Sequence, residues 1–212
     1  MPHCRFGDQV VRAYFDSTVR IVCESPPNTL VGVAIPFEVS LNGFDWTDTG
    51  FTFSYFYEAE MFSYFPDSGS SNGGTQIFIM GKNFPRINNP LEFNARFTPQ
   101  VAHMAPRIMA IDWHNDTCIS VMSPGGWSEG DKMSLQLTFN GVDYDQHNFT
   151  FTMFDIKQMM PRSGPSNGLG GDILIKGEGF RPEQQYLCRL NGTVYDAISF
   201  NWTEIRCPMV KA

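Results

Sequence analysis

The chain has 212 residues, enough for one or two domains with a buried core, with 17% charged residues, 14% aromatic residues and a net charge of −7. That acidic balance, with no basic stripe anywhere, argues against nucleic acid, whose phosphates need a cationic face. No apolar run approaches the roughly 18 residues of a membrane span, and the opening MPHCRFGDQVV has no apolar centre of the signal-peptide kind.

Taken in chain order, the same elements recur. The first is CRFGDQVVRAYFDSTVRIVCESP, which begins at Cys4 and places a second cysteine, Cys23, 19 residues later. VSLNGFDWTDTGFTF (Val39 to Phe53) follows, with an Asn-Gly between alternating apolar positions that predicts a hairpin turn. An aromatic run, FTFSYFYEAEMFSYF (Phe51 to Phe65), leads to FPDSGSSNGGTQIFIMGKNF (Phe65 to Phe84). Alternation predicts that half of the aromatic run faces a core; the other half, including Tyr57 and Phe62, is expected to pack one domain against the next. Ala95-Arg96-Phe97 then opens a second copy of the first element, closing at Val121-Met122-Ser123-Pro124 with a loop seven residues longer. LTFNGVDYDQHNFTF (Leu137 to Phe151) repeats the Asn-Gly element without a gap. MPRSGPSNGLGGDILIKGEGF (Met160 to Phe180) repeats the Pro-x-Ser-Gly element through its Ile-x-Ile-x-Gly-x-x-Phe ending, and Cys188 to Cys207 repeats the paired cysteines at the same spacing of 19.

Internal repetition of this kind is the signature of an array. One unit runs from the Pro-x-Ser-Gly element through the Cys-Arg-Phe element to the Asn-Gly element. The organisation expected is the back part of one domain in residues 1–58, a complete domain in 59–155 and the front part of a further one in 156–212. On this reading the chain is a window on a longer array. Alternation in Thr75 to Ile79, Ser134 to Phe139 and Phe149 to Met153 predicts strands, with turn signals every ten or so residues and no capped helical pattern. The expected fold class is all-β, tandem immunoglobulin-like β-sandwiches. In the middle copy alanine and valine replace both cysteines at once. A bond between partners explains that joint loss, so Cys4–Cys23 and Cys188–Cys207 are the expected disulfides.

The glycine-rich stretch at 168–171 lacks the Gly-Lys-Ser/Thr ending of a phosphate loop, and no helix is expected after it, so turns before a strand are expected there. His3, His103, His114 and His147 show no ligand spacing, Asp143 and Asp145 lack the rest of a calcium loop, and no serine sits in Gly-x-Ser-x-Gly. No catalytic residue, metal site or cofactor is therefore nominated, and an enzyme is not expected. Four Asn-x-Ser/Thr sequons occur, at Asn115, Asn148, Asn191 and Asn201. Asn115 and Asn201 fall at the same aligned position, a predicted hairpin tip where the first copy has Ser17. N-linked glycans are expected at all four, with a tight turn as the alternative role for Asn191-Gly192. Cys118 aligns with Arg20 on the outward face, a candidate intermolecular thiol.

The Pro66/Ser68-Gly69/Gly73-Gly74-Thr75/Ile77/Ile79/Gly81/Phe84 pattern, its counterpart in Pro161 to Phe180, and Cys-Arg-Phe with Ile21, Cys23, Ser25 and Pro26 resemble the IPT/TIG domains. The paired cysteines resemble the extracellular branch of that family, in which plexins and other surface receptors are found. The resemblance implies a non-catalytic repeat module of an extracellular glycoprotein, at the cell surface or in a fibre, with a structural or adhesive role. Its expected partners are other copies, neighbouring repeats or an extracellular protein ligand. A plexin-like receptor stalk and an accessory domain of a secreted polysaccharide-active enzyme are the alternatives.

Overall fold

The computed structural model describes residues 1–101, 104–128, 130–147, 149–165 and 171–208, apart from the side chains of residues 199 and 200. Among these residues there are strands and no helix, and the chain divides into two compact units, Met1–Glu58 and Ala59–Ala212. The turn expected over 168–170 lies outside the described residues.

Unit 1 contains β1 (His3–Phe6), β2 (Gln9–Ser17), β3 (Arg20–Cys23), β4 (Ala34–Ser40) and β5 (Thr52–Ser54), in the spatial order β3-β2-β1-β4-β5. The first part of β2 pairs with β1, and its second part leaves to pair with β3. Cys4, Phe6, Ala13 and Ile35 form the buried centre. Phe6 meets Phe37 and Phe53 edge-on at 5.0 and 5.1 Å, the arrangement that ring quadrupoles prefer.

Unit 2 contains β6 (Glu60–Phe65), β7 (Ser68–Ser70), β8 (Gln76–Lys82), β9 (Asn94–Pro99), β10 (Arg107–Asn115), β11 (Cys118–Met122), β12 (Lys132–Thr138), β13 (Phe149–Met160), β14 (Ile173–Glu178), β15 (Tyr186–Leu190), β16 (Thr193–Asn201) and β17 (Glu204–Cys207). Its first part is an immunoglobulin-like sandwich. One sheet runs β6-β8-β11-β10 and the other β10-β9-β12-β13, with β10 crossing from one to the other and β7 parallel to β13. Successive strand side chains point to opposite faces, so every second residue enters the core. Ile77, Ile79, Ala95, Phe97, Ile119, Val121, Met133, Leu135, Leu137, Phe151 and Met153 are all 0% exposed. Burial of a large apolar side chain of this kind stabilises by about 1.5–3 kcal/mol.

The Ile-x-Ile-x-Gly-x-x-Phe pattern has a packing explanation. A Cβ on Gly81 would lie 2.1 Å from the Glu60 carbonyl oxygen and 2.4 Å from the Phe84 ring, and one on Gly177 would lie 2.0 Å from the Asp155 oxygen and 2.6 Å from the Phe180 ring. In each copy the phenylalanine folds back over the glycine and is buried, at 2% and 1% exposure. Only the residue without a Cβ lets strand and ring approach this closely.

Two features differ from the sequence expectation. The Asn-Gly pairs do not close two-residue hairpins. Asn42 and Asn140 lie just past β4 and β12, at the start of the long connections to β5 and β13. Only the glycines have positive φ, 84° and 75°, whereas a type I′ turn needs both residues there. Each Asn side chain instead accepts from the backbone two and three residues on, at 2.9 and 2.9 Å for Asn42 and 2.9 and 2.8 Å for Asn140. Second, β13 runs across Asp155 without a break. Its start pairs with β12, its centre with β7, and Asp155 to Met160 with β14.

Candidate functional site

The crossing strands organise the cysteines. Cys4 lies opposite Val11 and Cys23 opposite Ala13, two residues apart on β2. The Cys4–Cys23 and Cys188–Cys207 pairs are disulfide-bonded, with Cα–Cα distances of 6.3 and 6.0 Å. In the middle copy Ala95 lies opposite Met109 and Val121 opposite Ile111, again two residues apart on the crossing strand. Apolar contact fills the place of the bridge. Cys118 is a free, half-buried thiol opposite Met80 of β8.

The sequons at Asn115 and Asn201 occupy matching tips. Asn115 Oδ1 accepts from the Thr117 backbone N–H at 2.9 Å and hydroxyl at 2.8 Å, and Asn201 Oδ1 accepts from the same groups of Thr203 at 2.8 and 2.9 Å. Both asparagines are exposed. Asn191 has φ 46° and Gly192 φ 87°, which makes them the two-residue turn between β15 and β16. Asn148 lies outside the described residues, as does His103.

The histidines do not converge. His114 Nε2 lies 2.8 Å from Ser120 Oγ, His147 Nδ1 lies 3.1 Å from Asp145 Oδ2, and His3 Nδ1 is buried without a partner. Among the described residues no cluster of three metal-ligating side chains occurs. Asp143 receives the Asn140 amide and Asp145 caps the backbone at His147, so both carboxylates shape the connection. Tyr57 and Phe62 are exposed, at 65% and 62%.

The arginine of the Cys-Arg-Phe element has a role not read from the sequence. Arg5 stacks over Trp46 at 4.6 Å and Arg96 over Tyr144 at 3.7 Å, favourable contacts between a cation and the negative ring face. Arg5 also pairs with Glu38, and Arg96 donates to Gln136 at 2.8 Å. The signal was present: both aromatics follow Asn-Gly-x-Asp.

A polar cluster also gathers where the second and third copies share β13. Arg181 Nη1 lies 2.9 Å from Asp67 Oδ2, and its other terminal nitrogen donates to Thr152. Gln184 donates to Asp67 and accepts from Ser68 Oγ at 2.9 Å. The Arg181 backbone N–H donates to Tyr186 Oη at 2.6 Å, and Phe180 packs between Phe154 and Tyr186. Arg181 is only 16% exposed, so desolvation strengthens its ion pair and raises the cost of losing it. Nearby, Tyr64 donates to the Thr150 carbonyl at 2.6 Å and accepts from the Thr150 N–H at 3.2 Å. Burial pushes the hydroxyl pKa of Tyr64 and of Tyr186 above its ordinary value of 10.0, against the lowering effect of their backbone hydrogen bonds. This arrangement holds backbone; it offers no poised acid, base or nucleophile.

Curated protein sequences give no match to this chain. Among solved structures, the full extracellular region of plexin A4 in domains 1 to 10 aligns with 97% of this chain and 18% of its own length, at 16% identity and a TM-score of 0.45. A second plexin A4 extracellular structure, covering domains 1 to 8, aligns with 99% of this chain and 27% of its own, at 11% identity and a TM-score of 0.38. The chain thus spans well under a third of either structure. Residues 60–153 match the family model of the IPT/TIG domain. That segment runs from β6 into β13 and encloses the sandwich core, so the chain contains an IPT/TIG domain over these residues.

Proposed function

We propose that this chain is a non-catalytic, extracellular repeat module with a structural or adhesive role, built from tandem IPT/TIG domains and acting through contacts between domains and with other proteins. One observation carries the reading most. Two disulfides occupy the same aligned positions in the first and third copies, and disulfides persist where the surroundings are oxidising. The matching, exposed sequon tips at Asn115 and Asn201 support the same compartment, with glycans at Asn148 and Asn191 as well. Cys118 is available to crosslink chains.

Intact-mass measurement of the native protein before and after deglycosylation tests the glycans; an unchanged mass overturns the glycoprotein reading. Negative-stain microscopy tests the role. Regular filaments are expected for a fibre subunit and isolated rods for a receptor stalk. An attached catalytic domain active on polysaccharide replaces both with the accessory-module alternative.

A further inference from the structure

We infer that Asn191 is a site of spontaneous deamidation, set apart from the other Asn-Gly pairs by the fold around it. Such pairs occur at Asn42, Asn72, Asn140, Asn167 and Asn191, and Asn167 lies outside the described residues. The reaction is intramolecular. The backbone nitrogen of the glycine loses its proton and attacks Asn Cγ. The Cγ–Nδ2 bond breaks, Nδ2 departs as ammonia carrying that proton, and a succinimide ring closes. Water then adds at either ring carbonyl, leaving aspartate or isoaspartate. Glycine favours the attack because no Cβ crowds its nitrogen. Three groups must therefore be free: the glycine N–H, the Asn carbonyl and the Asn amide.

At the first three pairs the fold occupies these groups. Gly43 N–H donates to Ser40 Oγ at 2.8 Å, Asn42 Nδ2 donates to Asp45 Oδ2 at 2.7 Å, and Asn42 Oδ1 accepts from Phe44 and Asp45. Asn140 repeats the arrangement. Gly141 N–H donates to Thr138 Oγ1 at 3.0 Å, Asn140 Nδ2 donates to Asp143 Oδ2 at 2.9 Å, and Asn140 Oδ1 accepts from Val142 and Asp143. At Asn72, the Gly73 N–H donates to the Ser70 carbonyl at 2.8 Å. The backbone there is also wedged in place. A Cβ on Gly125 would lie 2.1 Å from the Asn72 carbonyl oxygen, and one on Gly73 would lie 2.4 Å from the Gly125 nitrogen.

Asn191 is held by none of these devices. Neither its side chain nor the Gly192 N–H makes a hydrogen bond among the described residues. Both residues are exposed, and a Cβ on Gly192 would meet nothing within 4 Å, so a ring has room to close. Closure requires the pair to leave its left-handed geometry, φ 46° and 87°, and an exposed hairpin tip opens at low cost. The accessibility belongs to the position. In the first copy, where β4 packs beside β1, Asp8 stands in the place of Gly192 and is likewise exposed. There the Pro36 carbonyl takes the N–H of Gly7, which aligns with Asn191 and not with the attacking residue. Asn191 Nδ2 is also the atom that a glycan at this sequon would occupy, so glycan and isoaspartate exclude each other on one chain. Isoaspartate adds a methylene to the backbone of a two-residue turn, which displaces the pairing of Leu190 with Thr193.

The test uses the full 212-residue chain made in a host without N-glycosylation, with both disulfides confirmed, held at mildly alkaline pH. Peptide mapping follows the mass gain that marks exchange of amide for acid at each Asn-Gly pair, and an isoaspartate-specific methyl label identifies the product. Conversion at Asn191 is expected at least about tenfold faster than at Asn42, Asn72 or Asn140, because each of those must first break its hydrogen bonds. Thr138→Val frees the Gly141 N–H and should speed conversion at Asn140 by about threefold or more, leaving Asn191 unchanged. Conversion at Asn191 no faster than at one of the held pairs overturns the inference. So does an intact Asn191 after a time in which the free peptide RLNGTVY, residues 189–195, converts fully. The test requires no glycan and no assembly, so its failure is distinct from failure of the proposed function.

Discussion

Restoring the bridge that the middle copy lacks tests whether three aligned positions are one structural site. The variant is Ala95→Cys with Val121→Cys, in a Cys118→Ser background that removes the competing thiol. The new loop joins residues 95 and 121, and closing a loop of that length removes unfolded-state entropy worth roughly 3.5 kcal/mol. Against this, replacing the fully buried Val121 loses about 1 kcal/mol of methyl packing. A net gain of about 2–3 kcal/mol remains, which for a domain of this size raises its melting temperature by about 10 °C or more. Amide exchange at Ile77, Leu135 and Phe151 follows this core separately from unit 1, with the bond mapped on peptides. A mapped bridge without added stability would refute the reasoning. So would thiols that stay free under oxidant in an intact fold, since the two positions would then not be placed as the bridged pairs are.

Two further outcomes follow from the polar groups of unit 2. Asp67→Ala strips Arg181 of its carboxylate while leaving it mostly buried, at a cost of about 1–3 kcal/mol; amide exchange in β14 should quicken while that of Ile77 and Leu135 holds. Tyr64 and Tyr186 have hydroxyl pKa values raised by burial, so the stability they lend is fully present below pH 10 and is lost as pH climbs through the raised values. Urea midpoints should therefore fall between pH 9 and pH 11, and Tyr64→Phe should fall less steeply.

Local rules and internal repetition made much of this molecule legible. Alternation at Thr75 to Ile79 and Ser134 to Phe139 marked strands whose side chains do alternate in burial. The joint replacement of two cysteines by Ala95 and Val121 pointed to a shared position, because a bond makes two residues depend on each other. The Asn-Gly pairs misled because the dipeptide signals a turn but not the length of chain that follows it. The stacking of Arg5 on Trp46 escaped notice because pattern rules score neighbours along the chain, while this contact joins residues far apart in it. The Asp67–Arg181 cluster escaped for the same reason, and its residues differ between copies: Arg162 stands where Asp67 does, and Pro85 where Arg181 does.

The continuous β13 makes phase heritable along the chain. Side chains in a strand alternate with period two. One residue inserted or deleted near Asp155 must therefore either be taken up at the register shift between Ile156 and Gln158 or send the later side chains of β13 to the wrong face. In the latter case the third copy would have to re-pair β14 or give up its packing. The earlier junction has more room for such change, since Asn42 and Pro66 are separated by 24 positions where Asn140 and Pro161 are separated by 21. Its extra length is taken up between β5 and β6, outside both strands. Length variation should therefore survive at the first junction and be purged at the second, so that the two seams of one chain drift at different rates.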